Sequence, residues 1–354
     1  MDRPTVSVVM AVCNAQRFLA EAIQSILDQS FADFEFIIVD YGSRDGSRAI
    51  IRDYAGKDSR IEYCEIPECV LPEARNAGCF RARGRYIAVM DADDVSLPDR
   101  LTMEVAFMDS HPQVALLGGA VEWIDSAGLP FHVHRHPVRN SEIQQELLTH
   151  SVFWHPTTIM RKEAFDSVGG YRPVFVCAHD YDLAVRIAEK SECANLDQAV
   201  LKYRFHASQL STDKQQKQAL CKLAARASAA ERRRGQTDPL DGILEITPST
   251  LATLGVGELA QRNALVADAR SWIRNMIDAG EYAAAFTVAR GVLQSNLDRV
   301  DHRQVSELHL AVASICWRRK NFFKWMIALG QAVRAHPLLL GRPLKPLFQK
   351  LGMA

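Results

Sequence analysis

Two β-prone runs in the first hundred residues stop at an aspartate, and this pairing of apolar strand with terminal carboxylate constrains the fold more than any other feature. Phe34–Val39 runs into Asp40, and Arg85–Met90 runs into Asp91. A third run, Thr5–Val12, opens the chain. Near-continuous β-branched stretches suit strands covered on both faces. Between them the apolar spacing is helical: Phe18, Leu19, Ala22, Ile23, Ile26 and Leu27 recur every three or four residues, with Asn14 as the expected cap. Residues 47–55 and 73–82 also read as helices, Ile61–Ile66 as a strand, and Pro98 fits the first turn of a further helix. Strands alternating with helices predict a parallel α/β sheet.

The 354 residues are enough for two or three folding units. Residues 111–212 are mixed: Val114–Val121 is strand-like, Asp125–Gly128 is a turn, and 180–190 is helical. From 213 onward the pattern is all helix, with helices expected at 215–233, 258–278, 281–295, 304–319 and 321–335. Gly280–Tyr282 and Lys320–Phe322 are the expected turns between paired helices, loosely like a repeat array but without a clean period. Lys+Arg and Asp+Glu both total 42, so global charge gives no reason to expect a nucleic-acid partner. The eight cysteines form no C-x-x-C pair, which argues against a zinc ribbon or disulfide framework and fits a reducing cytoplasm. Neither a secretory leader nor an apolar run of membrane-spanning length is read from the sequence.

In open parallel sheets, ligands bind beyond the carboxyl ends of the strands, which is where Asp40 and Asp91 fall. Asp40 serves equally well as a ligand group or as the cap of the following turn. Asp91-Ala-Asp93-Asp94 is more pointed, because three carboxylates within four residues repel one another unless a cation or solvent compensates. A hard divalent ion takes carboxylate and phosphate oxygens together. Glycine-rich phosphate loops are absent, since the first turn reads Cys13-Asn14-Ala15.

With these residues in view the chain resembles the inverting family 2 glycosyltransferases of the GT-A fold, from about Pro4 to Ser211. The resemblance rests on motifs in order: Val6–Asn14 with Phe18-Leu19; Ile37–Ser47; Glu73-Ala-Arg75-Asn76-Ala-Gly78; Met90–Asp94 with Leu97–Leu101. His155-Pro-Thr157, Gly169-Gly-Tyr171, His179–Leu183 and Tyr203–His206 with Ser211 continue it. It implies a Rossmann-like, mostly parallel sheet in residues 1–212, split near 110 into nucleotide-sugar and acceptor halves, followed by a helical domain at 213–354. It also implies roles. Ala11, Cys13, Asp40, Arg75, Asp91 and Arg204 would line the nucleotide-sugar, Asp93 and His206 would meet the metal (Mn²⁺ or Mg²⁺), and Asp180 would be the general base. His155 and His179 would face the acceptor, a glycan or lipid-linked chain. Three positions depart from the family pattern: Cys13 replaces a frequent aromatic, Tyr41 replaces an acid, and His179 replaces the glutamate that usually precedes the base.

Two further signals stand apart. His132, His134 and His136 alternate, so in a strand they would share one face and could gather as metal ligands, but Arg135 and the adjacent turn suggest an exposed hairpin, and an acceptor-lining role is favoured over a metal site. From Leu308 to Ala354 there is no Asp or Glu, while eight Lys/Arg are interleaved with Trp317, Phe322, Phe323, Trp325 and Phe348. That mixture fits an anionic membrane surface at the cytoplasmic face, or a packed hairpin with a basic outer side. Rival readings are a nucleotidyltransferase, which would need a glycine-rich first loop, and a nucleotide-sugar-binding scaffold with a helical interaction tail.

Overall fold

The computed structural model describes residues 3–206, 212–295 and 297–337. They divide into two compact units, Met1–Arg204 with Ser228–Leu244, and Phe205–Ala227 with Glu245–Ala354. The return of 228–244 to the first unit differs from a simple boundary at 212. Its reason is an ionic knot: Asp238 accepts from Arg172 at 2.8 Å and from Ser228 at 2.7 Å, while Arg232 bonds Glu189 at 2.7 Å. These partners hold Asp238 down at a pKa of about 2, against the desolvation that opposes them.

The first unit is built on one nine-stranded sheet. Its strands are β1 (Val6–Val12), β2 (Phe34–Asp40), β3 (Ile61–Glu65), β4 (Tyr86–Met90), β5 (Val95–Ser96), β6 (Val114–Ile124), β7 (Pro130–His134), β8 (Ile159–Arg161) and β9 (Glu192–Arg204). The order is β3-β2-β1-β4-β8-β6-β9-β5, with β7 hydrogen-bonded to β6. β1, β2, β3 and β4 pair in parallel, as the buried apolar runs predict. Beyond β4 the sheet turns mixed: β8 is antiparallel to both β4 and β6, while β6 and β9 are parallel. The three-residue β8 thus joins the two halves, and so short a strand leaves little periodicity to read.

The helices fall close to their expected places: Leu19–Leu27, Ser47–Lys57, Leu71–Arg81, Arg100–Ser110 and His179–Ala188 in the first unit. Asn14 does not cap the first of them, as the sequence had led us to expect. It sits at φ 55°, and its Oδ1 accepts from the Arg44 amide at 2.8 Å, so it ties two loops together. The helix Leu71–Arg81 lies so close to β1 and β2 that a Cβ on Gly78 would stand 2.5 Å from Val9 Cγ1. Only glycine permits that approach without displacing the strand.

The second unit carries helices Glu258–Asp278, Tyr282–Gln294, His302–Arg318 and Phe322–Ala335, with turns at Gly280 and Lys320 as read from the sequence. Asn321 caps the last helix by accepting from the Lys324 amide at 3.2 Å. Phe348 and the cations Arg342, Lys345 and Lys350 lie outside the described residues.

Candidate active site

Register brings the strand ends together: Val12 of β1 stands opposite Asp40, and Met10 stands opposite Met90, one residue before Asp91. Asp40 is fully buried. Its Oδ1 accepts from the Gly42 and Ser43 amides at 3.1 and 3.0 Å, a turn that Gly42 permits with φ +105°. Its Oδ2 has no hydrogen-bond partner among the described residues. Arg75, on the helix Leu71–Arg81, is also buried and donates from Nη2 to Asp91 Oδ1 at 2.7 Å. Burial works against its charge, but Asp91 first, with Tyr171 and Asp180, raises its pKa above the ordinary value. Its Nε and Nη1 have no partner among the described residues. A buried polar atom left unpaired costs about 1–3 kcal/mol. An acceptor at a strand end and two donors on the helix packed beside it, all in that state, are candidates for ligand contact.

The acidic loop follows β4. Asp94 is buried, and Oδ1 accepts from the Arg204 amide at 2.9 Å. Desolvation, then the charges of Asp93 and Asp91, push its pKa well above the carboxylate range. Arg204 holds this loop from β9. Its Nε donates to the Asp93 carbonyl at 2.9 Å, its Nη2 to Glu21 at 2.6 Å, and its guanidinium lies 4.5 Å from the Phe18 ring centroid. These bonds make Arg204, which the resemblance puts at the diphosphate, also a brace for the acidic loop. On the other side Arg100 is buried, donating to the Val89 carbonyl at 2.9 Å and to Glu104 at 2.9 Å. Burial lifts Glu104 to about 7 although Arg100 opposes the shift.

Asp180 stands in the first turn of the helix His179–Ala188, half-buried, after an Ala178 in the left-handed region at φ 52°. An alanine held there is strained by about 1 kcal/mol, and the helix start is fixed at that place. The charge of Asp180 acts on Arg75, His155, Tyr171 and Tyr203. His179 is buried, and both its ring nitrogens lack a partner among the described residues. Burial and then Arg75 drop its pKa to about 3. The same two causes, in the same order, carry His155 well below its ordinary value. His155 Nε2 lies 2.9 Å from the Tyr171 hydroxyl, and the His155, Tyr171 and His179 rings meet edge to face at 5.5–5.8 Å. Where the family carries a negative glutamate, this chain carries a neutral ring.

Asn76 clasps the two halves: Nδ2 donates to the Tyr171 carbonyl at 2.7 Å, and Oδ1 accepts the Tyr171 amide at 2.8 Å. Gly170, at φ +72°, leaves room for that contact, since a Cβ there would lie 2.7 Å from Asn76 Oδ1. Asp182 is a structural carboxylate, buried between Arg172 and Arg186.

Of the residues singled out in the sequence, Arg75, Asp91, His155, His179 and Asp180 are linked by these bonds, ring contacts and charges, Asp93 shares the Asp91 loop, and Asp40 is bonded within its own turn and to Arg48. Ala11, opposite Val39, lies near the end of β1, and the half-buried Cys13 follows Val12, the residue paired with Asp40. Burial first, then Asp40, raises the Cys13 thiol above its usual pKa. His206 is buried and opens the second unit, while Ser211 lies outside the described residues. No group of three His, Cys, Asp or Glu among the described residues forms a ready-made metal cage. Sequence reasoning missed Trp154 and the brace function of Arg204. The available signal for Trp154 was its place beside His155, within a motif already noticed.

The family model for glycosyl transferase family 2 matches residues 7–169. An uncharacterized glycosyltransferase of Methanocaldococcus jannaschii is 33% identical over 212 residues, 58% of this chain and 72% of that protein. An O-antigen biosynthesis glycosyltransferase of Escherichia coli is 31% identical over 207 residues, 57% of this chain and 80% of that protein. Among solved structures, the mannosyltransferase PcManGT from Pyrobaculum calidifontis, in complex with GDP-Man and Mn²⁺, has a TM-score of 0.52 at 20% identity. The match covers 90% of this chain and 89% of that one, and at this identity it speaks for the fold alone.

Proposed function

The chain belongs to glycosyl transferase family 2 and is a glycosyltransferase, and from that premise we propose that it moves a sugar from a nucleoside-diphosphate sugar to an acceptor hydroxyl with inversion at the anomeric carbon. The observation that carries this reading is the Arg75–Asp91 ion pair at 2.7 Å, which ties a buried guanidinium with two nitrogens unpaired among the described residues to the acidic loop after β4. The donor's place is argued from the strand ends. Asp40 Oδ2 accepts and the Arg75 nitrogens donate, which suits a base edge bearing both an N–H and a carbonyl. Asp91 is left to the ribose.

A divalent ion fits the donor set, because Mg²⁺ or Mn²⁺ is held by one or two carboxylates plus phosphate oxygens and needs no complete protein cage. Asp93 would hold it. Such an ion, when bound, stabilises charge developing on the departing diphosphate. Asp94, fixed by the Arg204 amide, keeps the loop in place. Asp180 takes the proton of the acceptor hydroxyl as that oxygen attacks, and positioned acid–base catalysis of this kind contributes about 10²–10⁴-fold. His179 and His155, both neutral, face the acceptor as hydrogen-bonding groups without adding charge beside Asp180. Proton NMR of the product's anomeric signal tests the reading: retention of the donor's configuration would refute it.

The relation to an O-antigen enzyme supports a growing surface polysaccharide as acceptor. A peripheral site at the inner face of the cell membrane is supported by the last helix. There Phe322, Phe323, Met326 and Ile327 are exposed together, alongside Arg318, Arg319, Lys320 and Lys324. Trp317 and Trp325 instead pack on each other at 5.5 Å, so only part of the aromatic set faces outward. No described helix is long and apolar enough to cross a membrane. The full chain should co-sediment with anionic vesicles and be released by salt, and equal partitioning to neutral vesicles would sink the idea.

A further inference from the structure

The hairpin β6–β7 and its neighbours carry a run of rings that the transfer step does not use. Trp123 stands opposite His132 on one side and opposite Tyr203 on the other, so a single cross-strand row holds all three. The Trp123 ring stacks on His134 at 5.2 Å and 9° and lies 4.7 Å from His132. Trp154 lies 5.3 Å from His134, 5.7 Å from His136 and 4.7 Å from Tyr203. At its inner end the run reaches the candidate site, because Tyr203 precedes Arg204, whose amide donates to Asp94 Oδ1 at 2.9 Å, and Trp154 precedes His155. At its outer end His132 is exposed, and Phe131, His134 and Trp154 are half-exposed.

Hydrogen bonding fixes where the protons are. An indole N–H only donates, and Trp154 Nε1 donates to His134 Nδ1 at 3.1 Å, so that nitrogen is bare. Burial, then His132, lowers the His134 pKa, and burial, His134 and His150 take His136 to about 3. Both rings are therefore neutral near pH 7. A neutral ring with a bare Nδ1 carries its proton on Nε2. His134 thus offers a donor rather than a metal-binding lone pair. Aromatic faces edged with uncharged donors suit a sugar ring, whose C–H face stacks while its rim hydroxyls accept hydrogen bonds.

We propose that Trp154, His134 and His132 form a subsite for a sugar residue of the acceptor glycan, one beyond the residue that carries the attacking hydroxyl. Tyr203, Trp123 and His132 lie on three neighbouring strands, about 10 Å from first to last, so the row is longer than a single sugar ring and fits an oligosaccharide better than a monosaccharide. The proposal rests on the transfer reading above for the identity of the acceptor.

The test is a fluorescence titration of the full chain, with Mn²⁺ and UDP or GDP present, using trisaccharides of mannose, glucose, galactose and N-acetylglucosamine. At least one trisaccharide should bind. His132→Ala and His134→Phe should each weaken that binding tenfold or more, about 1.4 kcal/mol, without changing the thermal midpoint or nucleoside-diphosphate affinity. His132 is exposed, so its loss does not threaten folding. Binding of none of the four, or equal binding by wild type and both variants, overturns the subsite. Asp180→Asn should bind the trisaccharide as the wild type does, so failure of the base assignment and failure of the subsite give different results.

Discussion

The two halves of the first unit solve recognition in opposite ways. In the half built on β1–β4 the groups proposed to meet ligand are charged: Asp40 and Arg75, both buried with atoms unpaired among the described residues, and the carboxylates of the acidic loop. In the half built on β6–β9 they are rings kept neutral by burial: His179, His155, His134 and His136. A nucleoside diphosphate brings fixed charges and a fixed base edge, so charged groups held rigidly at strand ends suit it. An acceptor sugar brings hydroxyls and C–H faces, for which a neutral, ring-lined surface suffices. We place Asp180 where the two meet, as the base of the proposed transfer.

The comparison breaks first at the metal. Asp93→Ala should cost about 10³-fold or more in turnover, since several kcal/mol of charge stabilisation at the diphosphate is lost. It should also abolish the gain in nucleoside-diphosphate affinity on adding Mn²⁺. Calorimetry with and without the ion checks this, and an unchanged metal dependence would exclude Asp93 as ligand.

Next comes the boundary itself. Asp180→Asn should lower kcat by roughly 10²-fold or more while leaving nucleoside-diphosphate binding intact, because the base acts on the acceptor. A variant with near-native turnover would move the base elsewhere in the neutral half, with His179 first in line.

The neutrality of the acceptor half has a signature in stability. His179 has a folded pKa of about 3 against an ordinary 6.5. The unfolded chain therefore binds more protons between those values, and stability falls as pH is lowered through that window. At pH 5 this loss amounts to about 2 kcal/mol from His179 alone. Urea midpoints at pH 7 and pH 5 should draw together in His179→Gln relative to wild type. His155 titrates in the same direction in both proteins, so the difference isolates His179. Equal pH sensitivity in the two would mean that His179 is not held neutral.

The smallest effect concerns the clasp between the halves. Gly170→Ala would strain a left-handed residue and crowd Asn76, costing about 1–3 kcal/mol of stability. Its thermal midpoint should drop, and kcat should fall with it if Asn76 no longer registers Tyr171 against His155. An unshifted midpoint would show that the halves are joined elsewhere.

Much of this molecule is legible along the chain. The helices at 258–278 and 321–335 start or end within a residue or two of their expected places, because period and turn chemistry are local. Asp40 and Asp91 could be placed at strand ends for the same reason, and the motif order through Asp180 pointed to the family. The sequence by itself therefore determined the order of elements, the carboxylates at the strand ends and the class of enzyme. It did not determine which protein groups a motif residue touches. Arg204 became a brace because Glu21, 183 residues away, reaches its guanidinium. Asp182 became structural because Arg172 and Arg186 close over it. The ring run joins Trp123, Trp154 and Tyr203, which lie on separate segments and meet only once β6 pairs with both β7 and β9. Tertiary structure decided these matters because hydrogen bonds and burial are set by neighbours in space, and a polar side chain does whatever its non-local partners leave it free to do.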